Sequence, residues 1–214
     1  MASYVDSGSN YASLPIERTV PSSSTAMITL NDGNKMPVIG IGTRKCKPGE
    51  MRTAVYEAIK CGYRHIDSAW IYNNEPEVGD AILQAITEGI VIRSDLFITS
   101  KLWNTFHKKE DIEPSIRGSL QRLGLDYVDL YLIHWPVTGV EGAELNPTTQ
   151  ETWCEMEQLV ALGLTKSIGV SNWSISKLCA MKEYAKIFPS VNQVEVHPMW
   201  RQDELIAACD DMGM

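Results

Sequence analysis

Two rhythms alternate along the chain. Short runs rich in apolar and β-branched residues occur at Val38–Thr43 (VIGIGT), Tyr63–Asp67 (YRHID), Leu96–Lys101 (LFITSK), Tyr127–His134 (YVDLYLIH), Thr165–Val170 (TKSIGV) and Val191–Val196 (VNQVEV). Between them, apolar residues recur every three or four positions, the period of a helix with one buried face. Met51–Cys61 carries Ala54, Val55, Ala58 and Ile59 and stops at Gly62. Glu77–Thr87 carries Val78, Ile82, Ala85 and Ile86, and Ile112, Ile116, Leu120 and Leu123 mark a further helix ending near Gly124. Thr149–Leu162, Ile175–Lys186 and Asp203–Met212 complete the set. Ahead of the first unit, Met27–Leu30 and Met36–Val38 flank Asn31-Asp32-Gly33-Asn34, the pattern of a small hairpin around a turn.

Strand then helix, six times over, predicts an α/β domain, and strands this apolar are buried on both faces, as in a parallel sheet. Two architectures fit: an open doubly wound sheet of six strands, or an eight-unit barrel of which six units are present. The open dinucleotide-binding sheet is expected to carry GxGxxG at its first turn, but Gly40-Ile41-Gly42-Thr43-Arg44-Lys45 lacks the third glycine. In a barrel, chemistry gathers at the carboxyl ends of the strands. Asp67 ends the second strand, Lys101 the third and His134 the fourth; Ser171 and Asn172 follow the fifth, Gln193 lies in the sixth, and Tyr72 lies just past Asp67. Polar groups converging from five strands on one rim are poorly explained by packing. Together they describe a proton donor facing a carbonyl. A nearby ammonium is expected to lower the tyrosine's pKa, an aspartate to hold that ammonium, and a histidine to orient the carbonyl oxygen. There is no HExxH and no P-loop, and redox chemistry on such a rim needs a bound hydride carrier.

Composition narrows the partners. The 214 residues include 27 Asp and Glu against 19 Lys and Arg, a net charge of −8. That argues against nucleic acid and against an anionic membrane surface, and no apolar run is long enough to span a bilayer. Cys46, Cys61, Cys154, Cys179 and Cys209 are odd in number and widely spaced, without CxxC. They suggest neither a disulfide framework nor a metal site, and fit a reducing, cytoplasmic compartment. Residues 1–25 are Ser-rich with no apolar signal stretch and are expected to form a disordered arm ahead of a single domain spanning 26–214.

Several strings together resemble the aldo-keto reductase family, its aldose and aldehyde reductase branch: GYRHIDSAWIYNNE (62–75), FITSKLWN (97–104), LGLDYVDLYLIHWP (123–136), KSIGVSNW (166–173) and VNQVEVHP (191–198). The resemblance runs from about Met27 to Met214. It implies a (β/α)8 TIM-barrel-type fold with about six of eight βα units present and the hairpin plugging the bottom. It implies reduction of aldehydes or ketones by hydride from NADPH, with Tyr72 as proton donor, Lys101 and Asp67 as the pair tuning it, and His134 orienting the substrate. It assigns Ser171, Asn172 and Gln193 to the nicotinamide carboxamide. Thr43 and Lys45 then lie near the ribose and pyrophosphate, Asp67 borders the cofactor, and Trp70, Ile71, Trp103 and Trp135 line the substrate mouth beside His134. A full-length enzyme of this kind is expected to be monomeric.

The sequence also departs from the family. Arg44 stands where the family has an aromatic residue, and Val137–Pro147 is shorter than the substrate loop of animal aldose reductases. The sequence ends at Gly213-Met214, where a seventh strand is expected to begin. That leaves a competing expectation, a truncated barrel acting as a binding or regulatory protein without catalysis, or an inactive fragment. Trp153, Trp173, His65 and His197 are assigned to structure, His107 to solvent, the Lys108–Asp111 run to a solvated helix start, and Cys209 to a buried, inert position.

Overall fold

The six strands that follow the hairpin form one parallel sheet in strict sequence order, β3-β4-β5-β6-β7-β8. They are β3 (Gly40–Gly42), β4 (His65–Asp67), β5 (Phe97–Leu102), β6 (Val128–Ile133), β7 (Thr165–Ser171) and β8 (Asn192–Gln193). A doubly wound sheet reverses its order at a switch point. This one never does, and it curls as a half-barrel. The structure, a computed structural model, describes residues 26–138 and 146–214. The arm assigned to residues 1–25 and most of the 137–147 loop lie outside them.

Every residue of β5 and β6 is buried, which is why these strands read as nearly unbroken apolar runs. Their outer face packs on α1 (Met51–Lys60), α2 (Glu75–Thr87), α3 (Lys109–Leu123) and α4 (Thr149–Ala161), through Val55, Ile59, Val78, Ile82, Ile116, Leu120, Trp153 and Met156 among others. Each such aliphatic side chain contributes about 1.5–3 kcal/mol relative to exposure. Gly79 lets α2 and α3 touch: a Cβ there would lie 2.6 Å from the Leu123 carbonyl oxygen. A second, smaller core lies on the concave side, where Leu30 packs with Phe97, Leu130 and Leu132. Leu30 comes from the turn between β1 (Met27–Thr29) and β2 (Lys35–Pro37), the antiparallel hairpin anticipated from Asn31–Asn34. Asn31 donates to the Pro189 carbonyl at 3.0 Å and Asn34 to Ser167 Oγ at 3.0 Å, which fixes the hairpin under the amino-terminal ends of the strands. The carboxyl ends stay open.

Three elements differ from their expected bounds. The helix predicted over Ile175–Lys186 is α5 (Ile175–Met181) and stops early. Glu157 on α4 accepts from the Lys186 and Ile187 amides at 2.7 and 2.9 Å, taking the donors that a longer helix would have used. The sixth strand is two residues rather than Val191–Val196, because β8 has a ladder on one side only and the chain turns away after Gln193. The second helix begins at Glu75 rather than Glu77, with Pro76 in its first turn, where a missing N–H costs nothing. The start of α4 is as predicted and is sealed by a capping box. The Glu151 amide donates to Thr148 Oγ1 at 3.2 Å, and the Thr148 amide donates to Glu151 Oε2 at 2.8 Å. The last helix, α6 (Asp203–Asp211), packs against α5.

Candidate active site

Lys101 is the centre of the rim. It lies in β5 with no exposed side-chain surface, and its Nζ donates to Asp67 Oδ1 at 2.6 Å and to the Ser68 carbonyl at 2.9 Å. Asp67 is the last residue of β4 and is partly open to solvent. Burial lowers the lysine's pKa from its ordinary value, while the charge and hydrogen bond of Asp67 work against that fall.

Tyr72 closes a single 3₁₀ turn, Trp70–Tyr72, that follows β4. Asn73 reverses the chain after it in a left-handed conformation, φ 56°, which asparagine tolerates better than most residues. The turn holds the Tyr72 ring 5.3 Å from the Lys101 ammonium and edge-on to the His134 ring at 5.7 Å. Trp103 packs edge-on against the same imidazole at 5.2 Å, so His134 is held between two aromatic rings. His134 directly follows β6 and is anchored by its amide, which donates to the Leu102 carbonyl at 3.1 Å. Its Nδ1 is buried with no partner in the protein.

The protonation states differ from the sequence expectation in one respect. Lys101 was expected to lower the tyrosine's pKa; instead it is pushed up to about 12. Burial is the main cause and the Asp67 charge adds to it, while only Arg44 pulls the other way. His134 is pushed down to about 4 by burial, with the Lys101 and Arg44 charges adding to the fall, so it is neutral near pH 7.

The structure also brings together Ser171, Asn172 and Gln193. The Asn172 amide and the Ser171 hydroxyl both donate to the Gln193 carbonyl, at 2.9 and 2.8 Å. Asn172, at φ 63°, turns its Nδ2 to the His134 carbonyl at 3.0 Å, which ties this cluster to the one around Tyr72. The Gln193 side-chain amide makes no hydrogen bond among the described residues. Hydroxyl and amide groups with spare capacity suit a neutral amide ligand, and the fit to a nicotinamide carboxamide is chemically sound.

The remaining expected residues fall as follows. Trp70, Ile71 and Trp103 are half-buried on the rim, and Trp135 is exposed. Trp70 stacks edge-on with Phe106 at 4.8 Å. Lys45 is exposed at φ 62°. Thr43 is wholly buried: its amide and hydroxyl donate to the Asp67 carbonyl at 3.0 and 3.2 Å, and its own carbonyl accepts from Asn74 Nδ2 at 2.7 Å. Its visible role is to clamp the loop. Trp153 and Trp173 are core residues, and Trp153 donates to the Ile187 carbonyl. His65 lies beneath Gly40 and meets Thr99 Oγ1 at 3.0 Å, and His197 pairs with Glu195 on the surface. Two assignments are corrected. His107, expected in solvent, is 5% exposed with Nε2 unpartnered, and burial pushes it down to about 4. Cys209 is half-buried rather than buried, with its thiol pushed up.

One network behind the site gave no sequence signal. Glu75 is 1% exposed and accepts from Ser100 Oγ at 2.7 Å and from Arg122 Nε at 2.8 Å. Ser100 precedes Lys101 on β5, so alternation sends one side chain to each face of the sheet. Glu75 therefore holds from outside the strand that carries Lys101 inside.

Residues 38–214 match the Aldo/keto reductase family. The chain is 47% identical over 198 residues to aldo-keto reductase family 1 member A1-A of Danio rerio, covering 86% of this chain and 61% of that protein. It is 45% identical over 208 residues to D/L-glyceraldehyde reductase of Hypocrea jecorina, covering 90% and 62%. In structure it is similar to Bombyx mori aldo-keto reductase AKR2E4, crystallised with NADP, with a TM-score of 0.84, 43% identity and coverage of 89% and 64%. The chain thus spans a little over three fifths of the length of the relatives it matches.

Proposed function

The chain belongs to the aldo/keto reductase family, and from that premise we propose that it carries the catalytic half-site for NADPH-dependent reduction of aldehydes and ketones to alcohols. One observation carries the reading. The Tyr72 hydroxyl, with no hydrogen-bond partner among the described residues, stands on an open rim between a buried Lys101 paired with Asp67 and a neutral His134.

When bound, NADPH supplies the hydride that reaches the carbonyl carbon. Ser171, Asn172 and Gln193 would hold its carboxamide, and Asp67 and Lys45 border the same rim. The chain's own residues do the rest. His134, neutral, donates one N–H to the carbonyl oxygen and fixes its direction without competing as an acid. Tyr72, pushed up to about 12, keeps its proton throughout the neutral range. An alkoxide is far more basic than a phenolate, so the proton moves from Tyr72 Oη to the carbonyl oxygen as negative charge develops there. The Lys101 ammonium, fixed by Asp67 and Ser68, then stabilises the phenolate left behind. Trp70, Ile71, Trp103 and Trp135 give the carbonyl an apolar wall that excludes water.

The first test is titration of the purified chain with NADPH, followed by quenching of tryptophan fluorescence and then by loss of the reduced nicotinamide's absorbance on adding an aldehyde. Saturable quenching at micromolar NADPH with aldehyde-dependent oxidation is expected. A folded chain that neither quenches nor oxidises NADPH would overturn the proposal. A second reading, a non-catalytic barrel that binds a partner, draws on the exposed apolar side chains Ile39, Val196, Met199 and Trp200 flanking the two edge strands. NADPH binding without turnover of any carbonyl would favour it.

A further inference from the structure

Arg44 is set apart from the other described arginines. Arg93, Arg117, Arg122 and Arg201 sit in ion pairs, Arg52 donates to Gln84, and Arg64 donates to backbone carbonyls. Arg44 has neither a hydrogen bond nor an ion pair among the described residues, and it is exposed. In a chain with 27 acidic side chains, a free guanidinium is conspicuous.

Its backbone, by contrast, is held firmly. The preceding residue, Thr43, is clamped on every polar group: amide and hydroxyl to the Asp67 carbonyl, and carbonyl to Asn74, two residues beyond Tyr72. The following residue, Lys45, turns the chain at φ 62°. The loop is thereby pinned to both ends of the segment that carries Asp67 and Tyr72. The Arg44 charge also reaches both proton-handling groups, disfavouring protonation of His134 and favouring ionisation of Tyr72. A long, exposed side chain on a base pinned to the Asp67–Asn74 segment, with its five donors unspent among the described residues, is suited to take an oxyanion.

We infer that Arg44 is a specificity-determining residue, and that its guanidinium receives the carboxylate of a carbonyl substrate whose oxygen lies between Tyr72 and His134. The inference rests on the proposed function for the position of the carbonyl. A carboxylate matches the guanidinium fork in a bidentate pair, and such charge-assisted contacts are stronger than neutral hydrogen bonds.

The test uses 4-formylbenzoate and its methyl ester, which differ in the negative charge and one methyl group. In wild-type chain and Arg44→Gln, kcat/KM is measured for both, and binding of 4-formylbenzoate is measured by calorimetry. Arg44→Gln is expected to lower the acid-to-ester ratio of kcat/KM by about ten- to a hundredfold, and to weaken 4-formylbenzoate binding by a similar factor. Arg44→Lys is expected to restore part of each, and added salt to weaken only the wild type's binding. An unchanged ratio, or binding of 4-formylbenzoate that is undetectable or indifferent to the substitution, overturns the inference. Loss of NADPH affinity in Arg44→Gln with the acid-to-ester ratio preserved would also overturn it, since the residue would then serve the cofactor phosphates. If wild type reduces neither of these nor any other aldehyde with NADPH, the proposed function fails, while calorimetry still decides on Arg44.

Discussion

Lys101 reaches Asp67 at 2.6 Å from a position with no exposed side-chain surface, so the aspartate is the ammonium's chief counter-charge. Removing one partner of a buried pair costs about 3–5 kcal/mol, because the other charge is left unpaired. Asp67→Asn is therefore expected to lower the urea midpoint by a corresponding amount. Lys101→Met, which keeps most of the volume, is expected to lose less. A midpoint for Asp67→Asn within experimental error of wild type would show that the pair does not anchor the rim.

Glu75 gives a second, independent measurement. Glu75→Gln keeps an acceptor for Ser100 but removes the charge facing Arg122, which is partly exposed. A loss of about 1–3 kcal/mol is expected. Combined with Arg122→Gln, the double variant is expected to be less than additive in a double-mutant cycle, since the two groups share one interaction. Full additivity would separate them.

His107 controls part of the acid sensitivity. Its folded-state pKa is about 4, against about 6.5 for an unfolded histidine. Above pH 6.5 both states are neutral and the difference is silent. As pH falls from about 6.5 to about 4, the unfolded chain takes up the proton first, and stability falls by up to about 3 kcal/mol. His134 acts in the same direction. Urea midpoints at about pH 7 and about pH 5 are expected to fall less for His107→Asn than for wild type. Equal slopes would mean that the ring is not held neutral.

Gly79 tests the packing of the outer layer. A Cβ there would meet the Leu123 carbonyl at 2.6 Å and the Arg122 carbonyl at 2.9 Å, both backbone atoms that cannot swing away. Gly79→Ala, which favours an isolated helix by roughly 1 kcal/mol, is expected here to destabilise by about 1–3 kcal/mol. A stabilised variant would show that α2 and α3 can separate freely.

The order of the strands and the three groups around Tyr72 were legible because both depend on one-dimensional regularities. Parallel strands buried on both faces leave apolar runs, and residues at strand ends are delivered to one rim by the fold itself. Asp67, Lys101 and His134 needed no long-range information beyond that. Burial of charge was not legible. Glu75 reads as an acid beside Pro76 in a helix's first turn, a solvated position in most helices, and only the approach of α3 encloses it. His107 reads as polar beside a charged run, yet the loop folds it under α4, where Thr152 donates to its carbonyl. The early end of α5 depends on Glu157, 29 residues before the first amide it captures. The tyrosine's raised pKa was not legible because its main cause is burial of Tyr72, which the sequence does not show, and because Asp67 acts as a charge on Tyr72 as well as a support for Lys101.

The proton-donor role of Tyr72 is tested most directly by Tyr72→Phe. The substitution removes one oxygen that has no partner among the described residues, so fold and NADPH affinity are expected to stay close to wild type. Aldehyde-dependent NADPH oxidation is expected to fall at least a hundredfold, the usual share of a general acid. Turnover retained within a few fold, with binding intact, would contradict the assignment and move the proton to another group on the rim.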